Sequence, residues 1–157
     1  MPEWMTIWAA VQGVATVAAA GIAWYQIGAL RKDQRAWKTL EACERYESDL
    51  VVTSALKCLR DARKDGTLKT SPQDFRLEAL LVLNYFEGIA IAAAQGFYVE
   101  HIVREHLESL VRDHVSEFLD PYMANRMELN PSDFKRVTGL LKRWEESPLK
   151  AAIWEHL

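Results

Sequence analysis

The chain has 157 residues, enough for one domain of ordinary size beside a membrane span. Its 19 basic and 22 acidic side chains give a net charge of −3, which excludes a general electrostatic attraction to nucleic acid, so no nucleic-acid partner is expected. The two cysteines, Cys43 and Cys58, are too few for a disulfide framework and agree with a reducing cytoplasm.

The first predicted element is an apolar helix. Residues 6–30 contain no charged side chain, and as a helix they are roughly 37 Å long, which is enough to cross a hydrocarbon core of about 30 Å. Aromatic residues lie near both ends and basic residues follow at once, as at the interfaces of membrane spans. These membrane-interface residues are Trp4, Trp8, Trp24, Tyr25, Arg31, Lys32 and Arg35. The pattern predicts a single transmembrane helix over residues 1–30 of an inner-membrane protein, with the N-terminus outside and the remainder cytoplasmic.

Two other interpretations of this stretch are possible. A secretory signal peptide has a basic N-terminal region, and no basic side chain precedes residue 6, which disfavours that interpretation. A buried helix of a soluble protein agrees with the alanine-rich composition, and this alternative stays open.

One side of the predicted span is small and polar. At about 100° per residue its members share one face, which suits close helix approach and hydrogen bonding between helices in lipid. The predicted self-association face consists of Gln12, Gly13, Thr16, Ala19, Ala20, Ala23 and Gln26. A homo-oligomeric span follows as a hypothesis, and an isolated helix that tolerates two glutamines near its ends is the alternative.

The remainder of the chain predicts helices only. Residues 31–47 have apolar residues at helical spacing and are expected to extend the span as a helix. Residues 48–157 are expected to form a cytoplasmic bundle of about five helices. Ser48 is the expected N-cap of the second helix, which Gly66 ends before a polar loop over residues 65–70. Capping residues followed by proline start later helices at Ser71, Asn130 and Ser147. The fold class is therefore predicted to be all-α.

The helix predicted over residues 72–95 is apolar on most sides and is expected at the centre of the bundle. It carries Glu78, Asn84 and Glu87, and such polar residues disfavour a second span. A carboxylate in apolar surroundings requires a partner or a proton. The expected partner is an arginine of a neighbouring helix, with Arg60, Arg104 and Arg112 as candidates, and a structural ion pair is favoured over a catalytic acid.

No pattern of catalytic or metal-binding residues is apparent. His101 and His106 lie five residues apart, about 140° around a helix, so they cannot share one metal ion. They and His114 are expected on a wet or partner-facing surface. The basic residues Lys135, Arg136, Lys142 and Arg143 are interpreted as a solvated helix face. The sequence therefore predicts no enzyme, no cofactor and no metal site.

The arrangement resembles a bacterial family, the domain of unknown function 4760. The resemblance covers roughly residues 5–145, and Tyr85 stands where the family often has phenylalanine. Its matching residues are Leu83-Asn84-Tyr85-Phe86-Glu87, Gln95-Gly96-Phe97-Tyr98-Val99 and Ile102-Val103. The resemblance implies a membrane-tethered helical bundle with Asn84 and Glu87 as its signature buried polar pair, and it implies no chemistry.

Two classes of function agree with these patterns. The first is a membrane-anchored, non-enzymatic interaction or signalling module whose span self-associates and whose bundle binds a protein partner. The second is an oligomeric membrane-active effector in defence or lysis, in which the polar face of the span lines a pore. Binding of a small ligand is compatible with a bundle but no residue pattern supports it.

Overall fold

A computed structural model describes residues 3–147, apart from the side chains of residues 3–7 and 9–11. The described chain is all-α, with seven α-helices, two 3-10 turns and no strand, which confirms the predicted fold class. By its internal contacts the chain divides into an N-terminal unit, residues 1–37, and a C-terminal unit, residues 38–157.

Helix α1 (Glu3–Ser48) includes the apolar stretch and the predicted extension over residues 31–47. The helix continues past the basic residues, as predicted, because neither proline nor a capping residue followed by proline interrupts it. Its most apolar 18-residue window is 0% buried. By length and composition, α1 is therefore a candidate membrane span.

Helix α2 (Leu50–Lys64) starts with a different cap from the predicted one. Ser48 is the last residue of α1, and Asp49 is the N-cap of α2. The Asp49 carboxylate accepts hydrogen bonds from the amides of Val51 at 2.8 Å and Val52 at 3.3 Å. A carboxylate reaches these amides as a serine hydroxyl does. Its negative charge also interacts favourably with the positive end of the helix dipole.

The segment predicted as a polar loop over residues 65–70 contains a short helix, α3 (Thr67–Thr70). Its one apolar side chain, Leu68, is 1% exposed. The Thr67 hydroxyl donates to the Ala62 carbonyl at 3.2 Å. Gly66 ends α2 as predicted, with a φ of 75° that glycine adopts readily. Burial of one leucine thus orders a segment whose composition indicated a loop.

The later helices follow the predicted order. A 3-10 turn (Pro72–Phe75) precedes α4 (Arg76–Ala94), and Gly96 separates α4 from α5 (Glu100–Phe118). Helix α6 (Pro121–Arg126) is short, and a second 3-10 turn (Pro131–Phe134) precedes α7 (Lys135–Glu146). A last helix is predicted after Ser147, and its residues, from Pro148 onward, lie outside the described part of the chain.

Helix α4 is the central helix of the C-terminal unit, as predicted. It packs against α2, α5 and α7. The most apolar 18-residue stretch of the helix that contains α4 is 39% buried, whereas that of α1 is 0% buried. This difference in burial distinguishes the core helix α4 from the candidate span α1, although both are apolar. The α4 side chains in the core are Ala79, Val82, Leu83, Phe86, Ile89, Ala90 and Ala93.

Candidate functional site

The predicted self-association face lies on the N-terminal part of α1. The Thr16 hydroxyl donates to the Gln12 carbonyl at 2.8 Å, a back-bond within the helix. Each member of the face is exposed: Gln12, Gly13, Thr16, Ala19, Ala20, Ala23 and Gln26. The face is therefore accessible to lipid or to another helix.

The predicted membrane-interface residues are also exposed where their side chains are described. Trp8 is 67% exposed, and Trp24 and Tyr25 are 80% and 78% exposed. The basic residues Arg31, Lys32 and Arg35 are exposed as well, whereas the side chain of Trp4 lies outside the described set. Exposure of large aromatic side chains to water is energetically unfavourable, whereas their position at a membrane interface is favourable.

The prediction for Glu87 is wrong, because the partner of this carboxylate is a helix end and not an arginine. Its Oε1 accepts a hydrogen bond from the Arg136 amide at 3.0 Å, and its Oε2 accepts one from the Val137 amide at 2.8 Å. These amides belong to the first turn of α7, where no earlier residue of the helix can accept from them. Glu87 of α4 thus acts as the N-cap of α7 from another helix, aided by the helix dipole.

Asn84 does not form a buried pair with Glu87, so that prediction is also wrong. Asn84 is exposed and Glu87 is half-buried. The reason is rotational: residues three apart are about 60° away from each other around a helix, which leaves Asn84 on the outer side of α4 while Glu87 reaches α7.

A candidate arginine, Arg104, instead binds the other end of α7. Its guanidinium donates to the Trp144 carbonyl at 2.7 Å and also to the Ser147 carbonyl. The same group pairs with Glu108 at 2.7 Å, and its side chain is only 11% exposed. Hydrogen bonds from Arg104 and Arg112 hold the pKa of Glu108 below its ordinary value. A cation at a helix C-terminus interacts favourably with the helix dipole. Helix α7 therefore has the negative charge of Glu87 at its N-terminus and the positive charge of Arg104 at its C-terminus.

Another helix-end contact in the C-terminal unit involves Thr39, a residue that no sequence pattern singles out. Thr39 is 0% exposed, and its hydroxyl accepts a hydrogen bond from the Val99 amide at 2.9 Å. Val99 is the N-cap residue of α5. No spacing or motif in the sequence pairs these two positions.

Tyr85 joins the last turns of α1 to α4. Its hydroxyl donates to the Ala42 carbonyl at 2.5 Å, and burial raises its pKa to about 12, with smaller contributions from Cys43 and Tyr98. The phenol is therefore protonated at neutral pH and a permanent donor. A groove of about 340 Å³ next to this bond is lined by Ala42, Arg45, Asn84, Tyr85, Gly88, Ile89 and Tyr98.

The predicted surface position of the histidines is confirmed for His101 and His106 and wrong for His114, which is 7% exposed. Its ring lies 6.0 Å from the Phe86 ring and 5.8 Å from the Phe118 ring. Its Nδ1 is 2.8 Å from the Leu110 carbonyl, which it contacts as a donor. Burial lowers the pKa of His114, so the neutral ring is favoured.

The described residues contain no group of three or more histidine, cysteine, aspartate or glutamate side chains that could hold a metal ion. Cys43 and Cys58 are free thiols. Burial, and then the charge of Glu44, raise the pKa of Cys43 to about 11. A buried thiol with a raised pKa is a poor nucleophile.

These features define an all-α protein with a candidate N-terminal span and a separate C-terminal helical unit. The profile of the domain of unknown function DUF4760 matches residues 13–144, and the chain belongs to this family, which confirms the resemblance found in its sequence. A search of curated proteins found no match, and neither did a search of solved structures.

Proposed function

We propose that the chain is a single-pass inner-membrane protein whose C-terminal unit is a cytoplasmic, non-enzymatic interaction or signalling module. The observation that carries the proposal is the exposure of the uncharged stretch of α1, with aromatic side chains near both ends and basic side chains directly after it. Burial of this stretch in lipid would remove a large apolar surface from water. The basic residues Arg31, Lys32 and Arg35 favour a cytoplasmic C-terminal unit.

The span self-associates in this proposal through the face from Gln12 to Gln26. The support is that small side chains allow close approach of two helices, and that two glutamines can form hydrogen bonds between them in lipid. Each such bond contributes about 1 kcal/mol, so loss of both lowers the association constant about 30-fold. Apolar burial cannot drive this step, because lipid tails are as apolar as leucine.

Alanine-to-leucine substitutions test the face in the full chain. Ala23 lies on the face. Ala18, five residues earlier, lies on the opposite side of the helix, and both side chains are exposed. We expect Ala23→Leu to reduce cross-linking of the full chain in lipid vesicles at least tenfold, and Ala18→Leu to leave it unchanged. Equal effects of the two variants, or a monomeric parent protein, would contradict self-association through this face.

A further inference from the structure

We propose that α1 carries, at the end of its uncharged stretch, a binding groove for the headgroup of an anionic phospholipid. The groove has a volume of about 390 Å³ and is lined by Trp24, Tyr25, Gly28, Ala29, Lys32 and Asp33. It is here named the headgroup groove. The inference rests on the proposed insertion of α1 into a membrane, and it adds the class of lipid that α1 recognises.

The shape of the headgroup groove comes from the spacing of its residues. Trp24, Gly28 and Lys32 follow one another at steps of four, so they form one row along the helix. Gly28 has no side chain and leaves a gap between its two neighbours in the row. Trp24 and Lys32 are both exposed, so both can contact a ligand from outside. The groove therefore offers an aromatic surface at one end and a cation at the other.

The position of the groove along α1 fits a phospholipid. At about 1.5 Å per residue, Trp24 lies about 9 Å before Leu30 along the helix axis, and Lys32 lies about 3 Å beyond it. In the inserted helix, Trp24 is then at the level where acyl chains meet the glycerol, and Lys32 is at the level of the phosphates. One lipid can therefore place its apolar part beside the indole and its phosphate beside the ammonium group.

The distribution of charge around the groove favours an anionic lipid. The cations that follow the uncharged stretch directly are Arg31, Lys32 and Arg35. At about 100° per residue they lie within an arc of roughly 100° around the helix, and Gly28 lies inside the same arc. Asp33, the only acid among residues 31–35, lies about 150° from the middle of this arc. These five residues have a net charge of +2 in a chain of net charge −3, so the positive charge is concentrated on the side of the gap.

Native mass spectrometry of the full chain in detergent tests the binding of single lipids. The probes are phosphatidylglycerol and phosphatidylcholine with the same acyl chains, and we expect the first phosphatidylglycerol to bind at least tenfold more tightly. Lys32→Gln should lower the affinity for phosphatidylglycerol about fivefold, because one cation beside the phosphate is lost. The control Lys57→Gln removes an exposed cation of α2 and should change this affinity less than about twofold.

A second pair of variants tests the gap at Gly28 without a change of charge. Gly28→Leu fills the gap and should lower the affinity for phosphatidylglycerol at least tenfold. Gly21→Leu, about two helix turns before the gap, is the matched control and should leave it unchanged. A Cβ at either glycine would meet no heavy atom within 4 Å, and leucine favours the helix. Both glycines lie outside the self-association face from Gln12 to Gln26, so both variants keep that face.

Flotation with phosphatidylcholine vesicles separates the headgroup groove from membrane insertion itself. The parent protein and Gly28→Leu should both float, because neither has a charge within the uncharged stretch. A parent protein that does not float would overturn membrane insertion and the groove together. If the parent floats, equal affinities for the two lipids, or equal effects of Gly28→Leu and Gly21→Leu, would overturn the groove alone. Tighter binding of phosphatidylethanolamine that is lost in Asp33→Asn would also overturn it, because the groove would then select an ammonium headgroup.

Discussion

Replacing Glu87 by glutamine is expected to lower the free energy of unfolding of the C-terminal unit by about 2 kcal/mol. The carboxylate binds the amides of Arg136 and Val137 through both of its oxygens. A carboxamide keeps the size of the side chain but can accept through one oxygen only, and it loses the charge that favours the helix N-terminus. Val137 is 0% exposed, so its amide has little access to water as a replacement partner.

The expected change is local and can be followed by hydrogen exchange. In Glu87→Gln, amides 135–138 should exchange faster than in the parent, together with a lower thermal midpoint by circular dichroism in detergent. The matched control is Glu105→Gln, because Glu105 is exposed on α5 and should change the unfolding free energy by less than about 0.5 kcal/mol. If the two variants behave alike, Glu87 does not act as the N-cap of α7.

Replacing Arg104 by alanine is expected to cost about 2–3 kcal/mol. The guanidinium binds the carbonyls of Trp144 and Ser147 and the carboxylate of Glu108. Its removal leaves those carbonyls without their donor and Glu108 with Arg112 as its remaining arginine contact. Arg104→Lys should recover only part of the loss, because an ammonium cannot reproduce the fork of donors that reaches three acceptors.

Arg143→Ala is the control for this prediction. Arg143 also pairs with a carboxylate, that of Glu100 at 3.2 Å, but its side chain is 49% exposed, so the pair should contribute less than about 1 kcal/mol. Equilibrium urea unfolding of the two variants measures the difference. An Arg104→Ala protein as stable as Arg143→Ala would contradict the role of Arg104 at the end of α7.

The helices could be predicted from the sequence because local signals determine them. The central position of α4 followed from its apolar composition, and helix starts followed from Asn130 and from prolines at first-turn positions. Ser48 and Asp49 show the limit of such signals, since two adjacent residues can both cap and only the fold decides between them. The short helix α3 was missed because burial of Leu68 is a tertiary effect.

The contacts between helices could not be predicted, because they depend on how the helices rotate against each other. A carboxylate in an apolar helix correctly indicated that Glu87 requires a partner, yet sequence patterns favour charged side chains over backbone amides as partners. Arg104 was rightly expected in a structural contact, but with the wrong residue. His114 is in phase with the buried residues Val111, Val115 and Phe118, and that phase could have indicated its burial.

We propose that residues 6–30 anchor the protein in a membrane, and fractionation of the full chain tests this anchoring. We expect the intact protein to stay with the membrane fraction after alkaline carbonate extraction and to be released only by detergent. A charge pair in the middle of the stretch, Val17→Arg with Ala18→Glu, should reduce membrane retention, because a charge at mid-bilayer costs about 3 kcal/mol. Recovery of the intact protein in the soluble fraction without detergent would contradict membrane anchoring by residues 6–30.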